Sequence, residues 1–124
     1  MKKNKIIYWV TTGIISFMML FSAYSYFTNE EIKGAFVHLG FPSYFRVELA
    51  IAKILGVIAL LLPFVSFQLK EFAYAGFAIT FISAIVAHLS SGDPASVVIM
   101  PLVLLVILTV SFIYLQKAKN LEVA

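Results

Sequence analysis

Few side chains in this sequence can do chemistry, and those with the widest repertoire are Tyr24, His38, Arg46, Glu48, Lys53 and His88. Lys53 is the most informative, because it lies inside an apolar run. A Lys at a membrane-span centre costs about 2.5 to 3.5 kcal/mol on insertion scales and usually faces a bundle or a wet cavity. Two readings stand: a stem that snorkels its ammonium to the interface, or a cavity ligand. Arg46 lies seven residues before Lys53, on the same helical face, so the two cations together would attract an anionic or carbonyl-bearing group. Glu48 is about 140° around the helix from Lys53 and is no intrahelical partner, although it could reach these cations from a neighbouring copy. The simpler role for Arg46 and Glu48 is to anchor the helix at the headgroups.

His88 has the chemistry of a proton carrier or of a hydrogen-bond partner to a quinone oxygen, against the simpler reading of a neutral ring bonded to a carbonyl or a Tyr hydroxyl. His38 and His88 lack the close spacing of a metal pair. Ser90, His88 and Asp93 lack the nucleophile elbow of a hydrolase. No catalytic set and no metal site is therefore assigned. Cysteine is absent, which removes disulfides, CxxC redox motifs, thiolate nucleophiles and thiolate-held clusters.

The elements that must position these residues are helices in lipid. Hydrophobic residues make up 62% of 124 positions and charged ones only 12%, about half the share of a soluble domain, and the mean hydropathy is +1.01. Those values exclude both a disordered chain and an ordinary soluble fold. The net charge of +3 comes without a basic, aromatic-interleaved stripe, so no nucleic-acid partner is expected.

Four apolar runs, at about 6–27, 44–62, 72–89 and 95–115, predict an all-α integral membrane protein, a four-transmembrane-helix bundle forming a single domain over 1–124. The first run rises about 33 Å as a helix and reads as an uncleaved span rather than a signal peptide. The second ends at Pro63. Between the first two, Thr28-Asn29-Glu30-Glu31 has a capping-box pattern and Gly40 with Pro42 gives a stop, which predicts an amphipathic helix over about 30–39. Its face of Ile32, Ala35, Phe36 and Leu39 should lie in the interface or cap the mouth of the bundle. Asp93 is placed to cap the fourth span, Pro94 fits its first position, and Pro101 should kink it. Gly76, Thr80, Ala84 and His88, at four-residue steps, predict a close-packed seam on the third span.

Counting Lys and Arg beside the spans sets Lys2, Lys3, Lys5, Lys70, Lys117 and Lys119 against Lys33 and Arg46. Both termini are therefore expected on the cytoplasmic side of the inner membrane. With that threading Tyr24, His38, Arg46, Glu48, Lys53 and His88 collect in the outer half and predict a small polar pocket opening outward.

Several segments carry a resemblance: Lys5-Ile6-Ile7-Tyr8-Trp9, His38-Leu39-Gly40-Phe41-Pro42-Ser43-Tyr44-Phe45, Lys53-Ile54-Leu55-Gly56 with Pro63, and Lys70-Glu71-Phe72-Ala73-Tyr74-Ala75-Gly76-Phe77, followed by Ala84, His88 and Gly92-Asp93. In order and spacing they resemble the DoxX-like small membrane proteins of bacteria over nearly the whole chain. The resemblance implies a four-helix membrane bundle. It also implies a role beside quinone-coupled oxidation, as an accessory or assembly subunit of a membrane redox system, since relatives include subunits linked to thiosulfate-to-quinone electron transfer and partners of detoxifying redox enzymes. No cofactor of the chain's own is expected. A bound quinone or lipid, surrounding membrane lipid, a redox partner protein and a homo-oligomer are the associations it suggests. The alternatives are a small-molecule binder, a transporter or a quinone-linked oxidoreductase subunit. Many relatives carry an acidic residue in the first span, and Met18 to Ser25 here contain none, so acid-base chemistry does not carry over at that position.

Overall fold

The computed structural model describes residues 2–62 and 64–123, apart from the side chains of 2 and 118–123. The closure of the second run at Pro63, and the side chains of Lys2 and Lys119, lie outside the described residues. The order is α1 (Lys2–Thr28), α2 (Glu30–His38), α3 (Ser43–Leu61), α4 (Phe67–Ser90), a 3-10 turn (Ala95–Val98) and α5 (Ile99–Val123). The four long helices pack in the cyclic order α1, α3, α4, α5, with α2 against α1 and α3.

Three helical stretches are long and apolar enough to cross a membrane: Lys3–Thr28, Phe67–Ser90 and Ala95–Lys117. The chain is thus a multi-pass membrane protein. α3 is left out of that set by its three charges, Arg46, Glu48 and Lys53.

Each long helix buries one stripe. On α1 it runs through Tyr8, Thr12, Ile15, Met19 and Ala23, and on α4 through Lys70, Tyr74, Phe77 and Phe81, at the three- and four-residue steps of one helical face. Where α1, α4 and α5 meet, Ser111 Oγ lies 2.7 Å from Thr12 Oγ1 and 2.5 Å from Tyr74 Oη. Three buried hydroxyls thus satisfy one another across three helices, as groups cut off from water must. α3 meets α4 closely at Gly56, where an added Cβ would stand 2.6 Å from Phe77 Cζ.

Several local expectations are corrected. The cap of α2 is Asn29, whose side chain accepts from the backbone N–H of Glu31 and Ile32, while Thr28 turns its hydroxyl back to the Tyr24 carbonyl. Gly40 (φ +86) then closes the segment in the left-handed region that glycine tolerates best. α4 starts at Phe67, five positions ahead of the apolar run, because Ser66 caps it by accepting from Leu69 N–H. Asp93 does not cap the last helix; its carboxylate is engaged by His38 and His88. Pro94 precedes the 3-10 turn, and Pro101 falls in the first turn of α5, where a helix asks no intrahelical bond of its nitrogen. The segment changes from 3-10 to α geometry just before Pro101.

Candidate ligand-binding cavity

At the end of the bundle where α1 finishes and α3 begins, a cavity of about 490 Å³ is lined by residues of α1, α2, α3, α4 and α5. The face of α2 predicted from spacing, Ile32, Ala35, Phe36 and Leu39, forms part of its wall, so α2 caps the mouth. Aromatic rings tie that lid down: Tyr26 meets Phe36 edge-on at 4.9 Å between centroids, Phe36 meets Phe41 at 6.1 Å, and Phe41 meets Phe45 at 4.9 Å. Contacts at these separations join α1 to α2 and the start of α3.

Polar groups enter the lining from α1. Ser22 and Tyr26, one turn apart, both face the cavity, and both accept from the Lys53 ammonium, at 2.8 Å to Ser22 Oγ and 2.6 Å to Tyr26 Oη. The ammonium also lies 4.1 Å from the Tyr26 ring centroid. Lys53 is only 5% exposed. It therefore does not snorkel to the interface; its stem crosses from α3 to α1. Arg46 turns to the same residue and donates to the Tyr26 carbonyl. Both cations are thus held by neutral oxygens, and among the described residues neither has an acidic partner.

The other polar edge is a three-residue clasp. His88 Nδ1 lies 2.7 Å from Asp93 Oδ2, and His38 Nε2 lies 2.8 Å from Asp93 Oδ1. An ionised carboxylate only accepts, so hydrogen-bond logic assigns the proton to His88 Nδ1 and to His38 Nε2. The rings, His88 first and then His38, hold the Asp93 carboxyl below its ordinary value. His88 lines the cavity, and among the described residues its Nε2 has no hydrogen-bond partner. The two rings converge on the carboxylate, and among the described residues no cluster of His, Asp or Glu is arranged to hold a metal ion.

Of the residues singled out from sequence, His88 lines the cavity, Lys53 and Arg46 bond to its lining residue Tyr26, and His38 is joined to His88 through Asp93. Tyr24 and Glu48 do not. Tyr24 is 66% exposed and absent from the lining, and Glu48 is exposed and, among the described residues, makes no ion pair. Ser22, Tyr26 and Asp93 belong to the site without having been among the pocket residues expected from sequence. The signal for Tyr26 was available: extending the stripe Thr12, Ile15, Met19 and Ala23 by three reaches Tyr26, whereas Tyr24 is out of phase.

The predicted seam of Gly76, Thr80, Ala84 and His88 is not a tight interface. Gly76 is exposed, with nothing within 4 Å of where a Cβ would stand, and Thr80, Ala84 and His88 line the cavity. The packed face of α4 is the Tyr74, Phe77 and Phe81 stripe instead, since large rings fill the space between helices that small residues leave open. Lys70, taken from sequence as a cytoplasmic flank, is buried and donates to the carbonyls of Ala59, Leu60 and Leu62 at 2.9 to 3.0 Å, closing the C-terminus of α3.

No curated protein and no solved structure compared with the chain matches it. A family model described as the DoxX-like family does, over residues 10–111. That stretch contains the whole lining from Ser22 to Met100 and the clasp on Asp93. The chain is a multi-pass membrane protein and belongs to the DoxX-like family.

Proposed function

We propose that this chain is a four-span protein of the inner membrane, with both termini cytoplasmic. In this reading it serves a membrane redox system as a non-catalytic accessory subunit that holds an amphipathic small molecule, a quinone or a lipid, in its outward cavity. The observation that carries this reading is Lys53. It is a buried ammonium without an acidic partner among the described residues, beside two hydroxyls of an apolar, aromatic-lidded cavity. Such a site suits a ligand with an apolar body and an electron-rich head.

α3 supplies the fourth crossing. Its 19 residues rise about 28 Å, close to the roughly 30 Å of hydrocarbon. Two of its charges, Arg46 and Lys53, are turned onto α1 rather than toward lipid. In this reading electrons for any redox step come from a partner protein, and the cysteine-free sequence offers no thiol–disulfide couple of its own.

Native mass spectrometry of the chain extracted with lipid tests the reading: a retained quinone or lipid that is lost in Lys53→Met supports it, and an empty wild-type protein counts against it. Co-purification of a soluble oxidoreductase supports the accessory role; a chain that stays alone counts against that role. A quinone-linked oxidoreductase subunit is the second reading, favoured by the uncommitted Nε2 of His88 on the cavity wall. Wild-type quinone affinity in His88→Ala would remove that ring from the site.

A further inference from the structure

Beside the cavity lies a second space. A groove of about 390 Å³ runs between α3 and α4, walled by Leu55, Gly56, Phe72, Gly76 and Phe77. Leu49 and Thr80 belong to both linings, so the two spaces adjoin. Leu55 and Phe72 are exposed at the outer face of the bundle, and around a spanning chain that face meets acyl chains rather than water. The groove is open beside Gly76, where an added Cβ would meet nothing within 4 Å.

Among the described residues that wall the groove, Lys53 is the charged one. Its ammonium has three donors, of which Ser22 and Tyr26 take two. Among the described residues no carboxylate pairs with it. The aqueous side of the cavity, by contrast, is covered by α2, which the His38–Asp93–His88 clasp fastens to the loop before α5.

We propose that the α3–α4 groove is a lateral port through which a bilayer-resident amphiphile with an anionic head reaches Lys53, its head taking the third ammonium donor and its acyl chain lying in the groove. The proposal rests on the ligand-binding reading above and narrows it to an acyl-chain anion arriving from the membrane. Charge complementarity selects the head, because an unpaired cation in a low-dielectric wall favours an anion over a neutral group of equal size. The apolar wall selects the tail. α2 can stay clasped while such a ligand comes and goes, which a ligand arriving from water could not allow.

The test uses the full chain in nanodiscs and counts retained ligand by native mass spectrometry after addition of oleate, of oleyl alcohol, or of phosphatidylglycerol. Wild type is expected to retain oleate at least tenfold more than oleyl alcohol. Phosphatidylglycerol displacing oleate one for one identifies a phospholipid as the natural source, and failure to displace it identifies a free fatty acid; both outcomes support the port. Lys53→Met should lose the preference for oleate over the alcohol, and Gly76→Phe should lose both ligands with unchanged helical content. Wild-type oleate binding in a folded Gly76→Phe, with binding lost in Lys53→Met, overturns the port and leaves the cavity reading intact. Wild-type binding in both variants overturns the two together. Because the chain has no cysteine, Gly76→Cys supplies a second readout. Its labelling by a membrane-permeant maleimide should slow at least fivefold with oleate, and unchanged labelling would overturn the port even if Gly76→Phe fails to fold.

Discussion

Lys53 of α3 and Tyr26 of α1 meet through two parts of the same phenol: the ammonium donates to the hydroxyl at 2.6 Å and stands 4.1 Å from the ring centroid. Arg46 donates to the carbonyl of that same Tyr26. One residue at the end of α1 therefore receives two cations from α3. It also stacks edge-on against Phe36 of α2.

Tyr26→Phe keeps the ring and the carbonyl but removes the hydroxyl acceptor, so it isolates the hydrogen bond. A bond to a charged group contributes about 1.5 to 3 kcal/mol, and this is the expected loss on denaturation in detergent. Tyr24→Phe, on the exposed side of the same turn, should stay within about 0.5 kcal/mol of wild type. Equal effects of the two would remove Tyr26 from its central position.

Lys70 carries a different burden. Its ammonium uses all three donors on the carbonyls of Ala59, Leu60 and Leu62, which include the last orphan acceptors of α3. Lys70→Met preserves the stem and leaves those carbonyls without their donor. A loss of about 1 to 3 kcal/mol is expected, together with faster hydrogen exchange near the end of α3. A variant as stable as wild type, with unchanged exchange, would show that the cap contributes nothing.

Gly56 sets two effects in opposition. Alanine in a helix interior is favoured over glycine by about 1 kcal/mol. Its Cβ, however, would stand 2.6 Å from Phe77 Cζ in a buried contact, and overpacking costs about 1 to 3 kcal/mol. Gly56→Ala should therefore be neutral to destabilising in wild type and stabilising by about 1 kcal/mol in a Phe77→Leu background. A double-mutant cycle measures the coupling; no coupling would mean that the ring moves aside freely.

These relationships differ in how far they could be read from the chain. α2 was legible because its stop and apolar spacing are local, although its cap is Asn29 rather than Thr28, and every residue of the predicted face lines the cavity. Lys53 stood out because charge is scarce in apolar runs. The choice between Tyr24 and Tyr26 required the rotational phase of α1, which is set by its inward stripe and not by the nearness of a Tyr to the membrane surface. Lys70 was legible as a charge near a helix end, but its target depends on the path of the loop after α3. The seam failed because four-residue spacing of small residues permits close packing without supplying a partner, and the neighbouring Phe77 and Phe81 occupied the interface instead. Asp93 had two uses, a local cap and a long-range acceptor. The histidines won because one of them is brought in by α2, whose position no local rule contains.

That clasp has a defined pH window. Its rings hold the Asp93 carboxyl below the ordinary value, so the unfolded or released chain binds a proton more readily than the clasped one. The carboxylate's contribution is therefore complete above about pH 4, the ordinary value for a free Asp, and is lost as the pH falls through the depressed folded value. The cysteine-free chain allows a spin label at Val37→Cys on the exposed side of α2 and another at Ser91→Cys in the loop after α4. Their distance distribution should stay narrow from pH 8 down to about 5 and broaden only below about 4. Asp93→Ala removes the shared acceptor and should give the broad distribution throughout. A narrow distribution in Asp93→Ala at neutral pH would mean that the aromatic chain from Tyr26 to Phe45 alone seats α2, and that the two histidines merely lie beside the acid.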